Sequence, residues 1–517
     1  MKSYCLSQLG RSKVAAFRPL MAALRVTVAS CMALLASQPV VYAQMSDEEL
    51  RRERMETIEA LQSTENISGG SSKLFGELGR RTGWIFNYGA ASSISWTGGD
   101  NGSDRSYAVS DASEHAMDYE VKPFINVTTK DRKSKFYFRA TTKYTSTAKN
   151  GRPGSPGAGT RGNNYIEPTV DMVYWEKEFA PKAGSAAKRK MTIGRQFAQV
   201  GRGIAFALTA DGLLYDVTGL GKKKKGEYKW FLLQQNHGDD NIDASSAGSG
   251  RTKRFFYGIR GKYAVLPKWK ASLYTVYVQD HNEEQSPTSA FQKHMFEPQY
   301  YGHVGEGRIT KDLQYWYEAI HERGRTYSTG TAARPSIKVN IRASMLTTGL
   351  KYYFSGDLKP TVFAEFAQAS GDPDATSSNS TSGGSAPGTN DSRFNPFGGL
   401  SMGLALSPTL TNMKIYKIGG SIKPFARSVS RSLQDISIQP EYYVYRRRLG
   451  GGGAAGNDAQ IQATSTNRIG DEIDLSISWR QMSDLVHQLK WGHFSPGSAY
   501  SSQSSETYWK YKIAIDL

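Results

Sequence analysis

Cysteine is nearly absent from this 517-residue chain, which holds only Cys5 and Cys31. Beyond residue 31 there is no thiol for a disulfide framework, a nucleophile or a thiolate metal site. Long apolar runs are also missing past residue 41, and the hydrophobic fraction is 38% with a mean hydropathy of −0.51. A polytopic helical membrane protein repeats apolar stretches of about 20 residues and is excluded. Acidic residues are the minority charge, 47 Asp+Glu against 65 Lys+Arg, for a formal charge of +18. Histidine is sparse: His303, His321, His487 and His493 are scattered over the strands with no Ser–His–acid pattern around them. A hydrolytic triad is therefore not expected, and neither is an enzyme.

Aromatic residues are plentiful. With 29 Tyr, 21 Phe and 9 Trp, the chain has too many large apolar groups to stay solvated and disordered. A β-rich soluble protein and a transmembrane β-barrel remain, and in the latter lumen-facing polar residues dilute the apolar ones.

Residues 1–43 read as a bacterial export signal. Lys2, Arg11, Lys13, Arg18 and Arg25 form a basic start with no acidic residue. An apolar stretch over 26–41 follows, and Val41 and Ala43 supply the small residues before a cleavage at Gln44. An uncleaved anchor is the alternative; a lipoprotein site at Cys31 fits less well, because much of the apolar run follows it. Cleavage removes both cysteines, which suits a chain crossing an oxidising periplasm. Residues 44–82 are expected to form a periplasmic segment with a short helix. Ser46 and Glu49 have capping-box spacing, and Leu50, Met55, Ile58 and Leu61 make only a loose stripe.

From Gly83 the periodicity changes to two. Trp84, Phe86, Tyr88, Ala90, Ile94 and Trp96 share one parity, and Tyr119, Val121, Pro123, Ile125 and Val127 repeat it. So do Phe136/Phe138/Ala140, Val170/Met172/Tyr174, Phe255/Tyr257/Ile259, Leu346/Leu350/Tyr352, Ile473/Leu475/Ile477/Trp479 and Trp509/Tyr511/Ile513/Ile515. Eighteen such segments fit between Gly83 and Leu517, and an even count of segments of about ten residues is the outer-membrane barrel signature.

Connection length supplies a second criterion. With a periplasmic N-terminus, outward connections fall at 98–117, 149–166, 239–253, 329–342, 370–410, 450–468 and 496–506. Inward ones fall at 130–134, 221–226, 266–268, 310–312, 355–360 and 482–484. Long outside and short inside is how such barrels are built, whereas a β-sandwich does not sort loops by strand parity. The 370–410 stretch is rich in Ser, Gly, Asn, Thr and Pro and reads as a mobile surface loop. Trp84, Trp96, Tyr352, Tyr353, Tyr442, Tyr443, Trp479 and Trp491 cluster near strand ends, where interfacial girdles belong. The fold expected is all-β: one 18-stranded antiparallel transmembrane barrel over 83–517, with long extracellular loops and short periplasmic turns.

Two stretches resemble a known family. Gly470-Asp471-Glu472-Ile473-Asp474-Leu475, leading through Trp479-Arg480 to Leu489, Gly492, Phe494 and Pro496-Gly497, is similar to the closing segment of the alginate export family of outer-membrane barrels. Ile193-Gly194-Arg195-Gln196, then Gly201, Gly203 and Asp211-Gly212, resembles that family's central segment. The resemblance implies a secretion pore for an alginate-type polymer, working with periplasmic and inner-membrane synthesis partners. The chain departs from the pattern in two places. It ends in Leu517 where many such barrels end in Phe, and the turn at 482–484 is too short to carry a plug.

If the apolar parity faces lipid, the other parity lines the pore. The lumen cations are then Lys122, Arg139, Lys143, Arg254, Arg260, Lys262, Lys351, Arg447, Arg480, Lys490, Lys510 and Lys512. Arg195 and Arg202 join them from the Gly-rich segment, where parity is ambiguous. The acids are Glu120, Asp171, Glu297, Glu318, Glu365, Glu441, Glu472 and Asp474. On the lipid face an Arg or Lys costs about 2–4 kcal/mol at mid-depth, so charges belong inside. Fixed cations in a narrow low-dielectric channel concentrate anions, and arginine grips a carboxylate with two parallel bonds. Interspersed acids keep any one site from holding too tightly. Tyr137, Tyr301, Tyr353 and Tyr443, if lumenal, offer faces for sugar stacking. Each Arg could equally brace the wall through an Arg–Glu ladder, and the collective excess says more than any one residue.

Other clusters have plainer readings. Arg446-Arg447-Arg448 at an outer strand end suits lipopolysaccharide phosphates, and the Lys222–Lys225 run is a solvated turn. Asp239, Asp240, Asn241 and Asp243 lack the glycine and distal Glu of a calcium loop. The expectation is a monomeric outer-membrane pore passively conducting an anionic exopolysaccharide, with no cofactor, metal or nucleic acid. The alternative is an anion-selective diffusion or uptake porin for small acidic solutes, and a plugged scaffold is a third reading.

Overall fold

The computed structural model describes residues 82–516, apart from 101–112, 151–159, 182–186, 222–224, 238–251, 267–268, 283–293, 328–337, 374–388, 401, 450–454, 456–465 and 501–504. The export signal, the 44–81 segment, most of the 222–225 lysine run and the 239–243 acidic cluster lie outside the described residues.

Alternating segments become strands because successive side chains point to opposite faces. The first six are β1 (Ile85–Asp100), β2 (Ser113–Thr128), β3 (Ser134–Asn150), β4 (Thr160–Phe179), β5 (Lys188–Gln199) and β6 (Ala207–Leu220). Then come β7 (Gly226–His237), β8 (Thr252–Leu266), β9 (Trp269–Asn282), β10 (His294–Arg308), β11 (Leu313–Tyr327) and β12 (Lys338–Tyr353). The last six are β13 (Thr361–Ala369), β14 (Met413–Ser421), β15 (Ser437–Arg447), β16 (Arg468–Arg480), β17 (Leu485–Pro496) and β18 (Glu506–Asp516). Each pairs antiparallel with its neighbours in sequence, and β1 closes on β18 from Ala91↔Asp516 to Asp100↔Thr507. The eighteen-stranded barrel is closed, so the sheet as a whole has no first or last strand. Leu232, Leu273, Leu346, Leu350, Leu489 and Trp491 stand exposed on the outer face, as a lipid-facing wall requires.

The inner turns are short at 309–312 and 481–484. The β14–β15 connection, residues 422–436, is a long exception and carries a one-turn helix, α1 (Arg431–Gln434).

Two local features correct the parity reading. In β4 the register passes from Arg139↔Met172 to Ala140↔Val170, leaving Asp171 as a bulge. One extra residue inverts the faces, so Val170 is exposed outside while Met172 and Tyr174 are buried inside against Tyr137. At Gly194 and its partner Gly212, φ is +126° and +150°, and a Cβ on Gly194 would collide with the Val173 carbonyl oxygen. Only glycine fits there. The β4–β5 ladder ends at this level, at Val173↔Arg195.

The larger correction concerns the 370–410 stretch. Residues 389–412 do not spread over the surface but pack inside the barrel's outer half. Phe394, Met402, Leu406 and Leu410 are buried against inward-facing Ile341, Met345, Ile415 and Tyr445. Phe397 packs on the Phe256 and Tyr300 rings and forms a bridge with Phe206 of the 200–206 connection, which also folds inward. Apolar side chains therefore fill much of the outer half of the lumen, interrupted by the buried charges of Glu322, Asp391, Arg393 and Glu472.

Candidate functional site

The apolar contacts are supplemented by three wall glutamates that hold the inserted segments by their backbone amides. Glu472 on β16 is 0% exposed and accepts the N–H groups of Leu404 at 2.6 Å, Ala405 at 2.7 Å and Leu406 at 3.1 Å, with the Tyr445 hydroxyl at 3.0 Å. Successive amides converging on one anion form a nest, filled here by a side chain of the same protein. On β11, Glu318 accepts the Arg202 N–H at 2.9 Å and the Tyr274 hydroxyl at 2.6 Å. Four residues on, Glu322 accepts the Asn395 N–H at 3.0 Å. Asp391 exchanges backbone bonds with Asn340 and Arg342 of β12 and pairs with Arg393 at 3.1 Å.

Arg202, Glu318 and Glu365, far apart in sequence, come together. The Arg202 guanidinium lies over the Trp316 ring at 4.9 Å and 3.8 Å from the Glu365 carboxylate. Glu365 also accepts from Trp316 Nε1 at 3.3 Å and Thr347 Oγ1 at 3.2 Å. A second group joins Glu441 to Lys417 at 2.9 Å and to the Tyr443 hydroxyl at 2.6 Å, with Asp474 opposite Glu441 in the ladder.

Several of the expected lumen cations have acidic neighbours. Lys122 meets Glu120 at 2.9 Å, Lys143 meets Asp118 at 3.0 Å, and Arg139 meets Asp171 at 2.6 Å. Arg260 lies 3.6 Å from Glu227, and Lys262 lies 2.9 Å from Glu306. Lys351 stands over the Tyr353 ring at 5.0 Å. On the β17–β18 wall three cations gather: Lys490 and Lys510 are directly opposite each other and Lys512 is two residues on, with Asp118 and Glu120 of β2 one strand beyond β1. Like charges facing across a ladder repel, and an incoming anion relieves that repulsion.

Five sequence candidates stand elsewhere. Arg447 is 1% exposed, buried rather than presented to a passing solute. Arg195 pairs with Asp211 at 3.9 Å, on positions alternating with the buried Gln196 and Ala210. Tyr301 is 46% exposed on the outer parity, because Tyr300 is the inward residue, and Glu297 shares Tyr301's parity. Arg480 sits at the inner rim and donates to the Ser483 carbonyl at 3.1 Å.

The site residues that the sequence did not single out are Glu322, Lys417, Asp391 and Tyr274. Glu322 carried a signal, since positions four apart in a strand share a face with Glu318. Lys417 was masked by apolar Met413 and Ile415 on its own inward row. Among the described residues no group of His, Cys, Asp or Glu is placed to hold a metal, and no helix is long and apolar enough to cross a membrane.

Solved structures similar to the chain include Pseudomonas aeruginosa OccK5 (OpdH), at 9% identity and a TM-score of 0.47, covering 84% of this chain and 98% of that one. Pseudomonas aeruginosa OccK7 (OpdD) gives 10% identity and a TM-score of 0.48, covering 83% and 99%. Acinetobacter baumannii OccAB1 gives 11% identity and a TM-score of 0.47, covering 84% and 96%. A comparison with curated protein sequences finds no match. The alginate export family profile matches residues 241–511, which include the 470–497 stretch. With more than half of the sequence matched on a closed eighteen-stranded barrel, the chain is an outer-membrane pore and belongs to the alginate export family.

Proposed function

We propose that this pore passes an anionic exopolysaccharide of the polyuronate type out of the periplasm, by passive conduction along a cation-bearing lumen. The observation that carries the reading is the β17–β18 strip, where Lys490 and Lys510 face each other with Lys512 beside them. Three ammonium groups on one wall offer a sliding polyanion several equivalent places to rest, and Lys122 with Glu120 and Lys143 with Asp118 continue the charged surface at moderate strength. Conduction needs weak, repeated binding of this kind rather than one deep site. No covalent step or cofactor enters the mechanism. The barrel works as a monomer and receives its polymer from periplasmic and inner-membrane synthesis partners.

A second reading, an anion-selective porin for small acidic solutes, is favoured by one specific observation. Residues 389–412 and 200–206 occupy the outer half of the lumen, which leaves less room for a chain of sugars than for a small acid. Single-channel recording in a planar bilayer under a KCl gradient separates the two. Anion-selective reversal with concentration-dependent block by polyuronate supports export. A steady anion current that polyuronate leaves untouched supports the small-solute porin.

A further inference from the structure

The β14–β15 connection, residues 422–436, does not simply hang beneath the lumen. On β16, Ile473, Leu475, Ile477 and Trp479 alternate with inward Glu472 and Asp474, and the cross-strand partners of Leu475 and Ile477 are the exposed Trp491 and Leu489. Trp479 thus ends the lipid-facing row at the inner rim. Its Nε1 donates to the Ser432 carbonyl of α1 at 2.9 Å. Ile422 bridges Ile438, which continues the lipid-facing row of β15. Trp479 also stacks on His487 at 4.9 Å, and His487 Nδ1 lies 2.9 Å from the Tyr511 hydroxyl. Amphipathic rings gathered at a strand end mark the level where membrane meets water.

From this tether the connection leaves Phe425, Val429 and Leu433 exposed, Val429 completely so. Lys423, Arg427 and Arg431 are interleaved with them. Lys423 reaches Asp435 at 3.2 Å, and Arg427 pairs with Asp357 of the neighbouring inner turn. Large apolar side chains alternating with basic ones are what a segment lying in a headgroup layer needs.

We propose that residues 422–436 form an interfacial anchor against the inner leaflet of the outer membrane. Phe425, Val429 and Leu433 enter the boundary between headgroups and acyl chains, while Arg427 and Arg431 meet phospholipid phosphates. The occupant is lipid because the tether is made on the wall's lipid-facing row, continuous with Trp479, Leu489 and Trp491. The anchor sets the depth of β14 to β16, the strands that carry Lys417, Glu441 and Glu472.

The test uses the full chain carrying Val429→Cys with Cys5→Ser and Cys31→Ser, labelled with a nitrobenzoxadiazole fluorophore and reconstituted into phosphatidylethanolamine–phosphatidylglycerol vesicles. Val429 is fully exposed, so the label displaces no internal contact. Asp131→Cys in the same background gives a water-facing reference in another inner turn. Phospholipid with a nitroxide on the fifth acyl carbon is expected to lower emission at position 429 by about twofold or more, with little quenching by iodide. Iodide quenching at 429 equal to that at 131, with no effect of the nitroxide lipid, overturns the anchor. That outcome would turn the same face over to a periplasmic protein partner.

Discussion

The carboxylate of Glu472 sits 2.6 Å from the backbone nitrogen of Leu404, joining the barrel wall to a segment 68 residues earlier in the chain. Because the amides of Ala405 and Leu406 share the same carboxylate, one side chain orders a full turn of the inserted segment. Hydrogen bonds to a charged acceptor contribute about 1.5–3 kcal/mol each, more than neutral ones.

Glu472→Gln keeps the shape but replaces one acceptor oxygen with an NH₂ group that faces amide donors. Local stability of 402–410 is expected to fall by about 2–4 kcal/mol. Hydrogen exchange at Leu404, Ala405 and Leu406 should accelerate, and single-channel traces should show larger or noisier openings. Unchanged exchange together with unchanged conductance would remove Glu472 from the role of latch.

Arg202→Ala takes a cation away from Trp316 and Glu365, losing about 0.5–2 kcal/mol of cation–π attraction. Glu365 then faces the lumen with only Trp316 and Thr347 as donors, so the reversal potential should move toward cations. If selectivity is unaltered, ions do not pass this point.

Lys490→Glu combined with Lys510→Glu reverses the sign of the strip at an unchanged barrel diameter. Polyuronate block should weaken by about tenfold or more, with the salt dependence of that block flattened. Equal block in the variant would place the polymer path away from β17 and β18.

Gly194→Ala puts a methyl group against the Val173 carbonyl at a φ that L-residues rarely adopt. A loss of about 1–3 kcal/mol is expected, read as a lower temperature for conversion of the folded to the unfolded band on electrophoresis. Gly261→Ala is the control, since nothing lies within 4 Å of its added Cβ.

Asp131, in the β2–β3 turn outside the wall, accepts from Thr129 Oγ1 at 2.6 Å and from the Lys133 amide, and these bonds hold its pKa below the usual 3.8. A depressed carboxylate pKa stabilises the fold above the unfolded value and loses that contribution as pH falls through the folded one. Protection of the Lys133 amide should therefore be full at neutral pH and decline only below about pH 4. Loss of protection already near neutral pH would contradict this.

The barrel was legible from the strands' own periodicity. Tyr119, Val121, Ile125 and Val127 alternate because one face of β2 meets lipid, and the same rule located the inward Lys122, Lys143 and Glu120. Periodicity failed at Asp171, where one bulged residue inverted the faces of β4. It failed again for 389–412. Averaging Phe394, Phe397, Met402, Leu406 and Leu410 with the preceding Ser, Gly and Thr concealed an apolar segment.

The sequence by itself therefore determined the strand count and the membrane-facing row, because both follow from side-chain alternation and the cost of charge in lipid. Only the tertiary structure decided which charges face a channel and which hold a segment in place. Glu472 and Glu441 share a face and a chemistry, yet one is consumed by three backbone amides and the other by Lys417 and Tyr443. Those partners lie elsewhere in the chain, and burial of the inserted segment's apolar side chains brings its amides to Glu472.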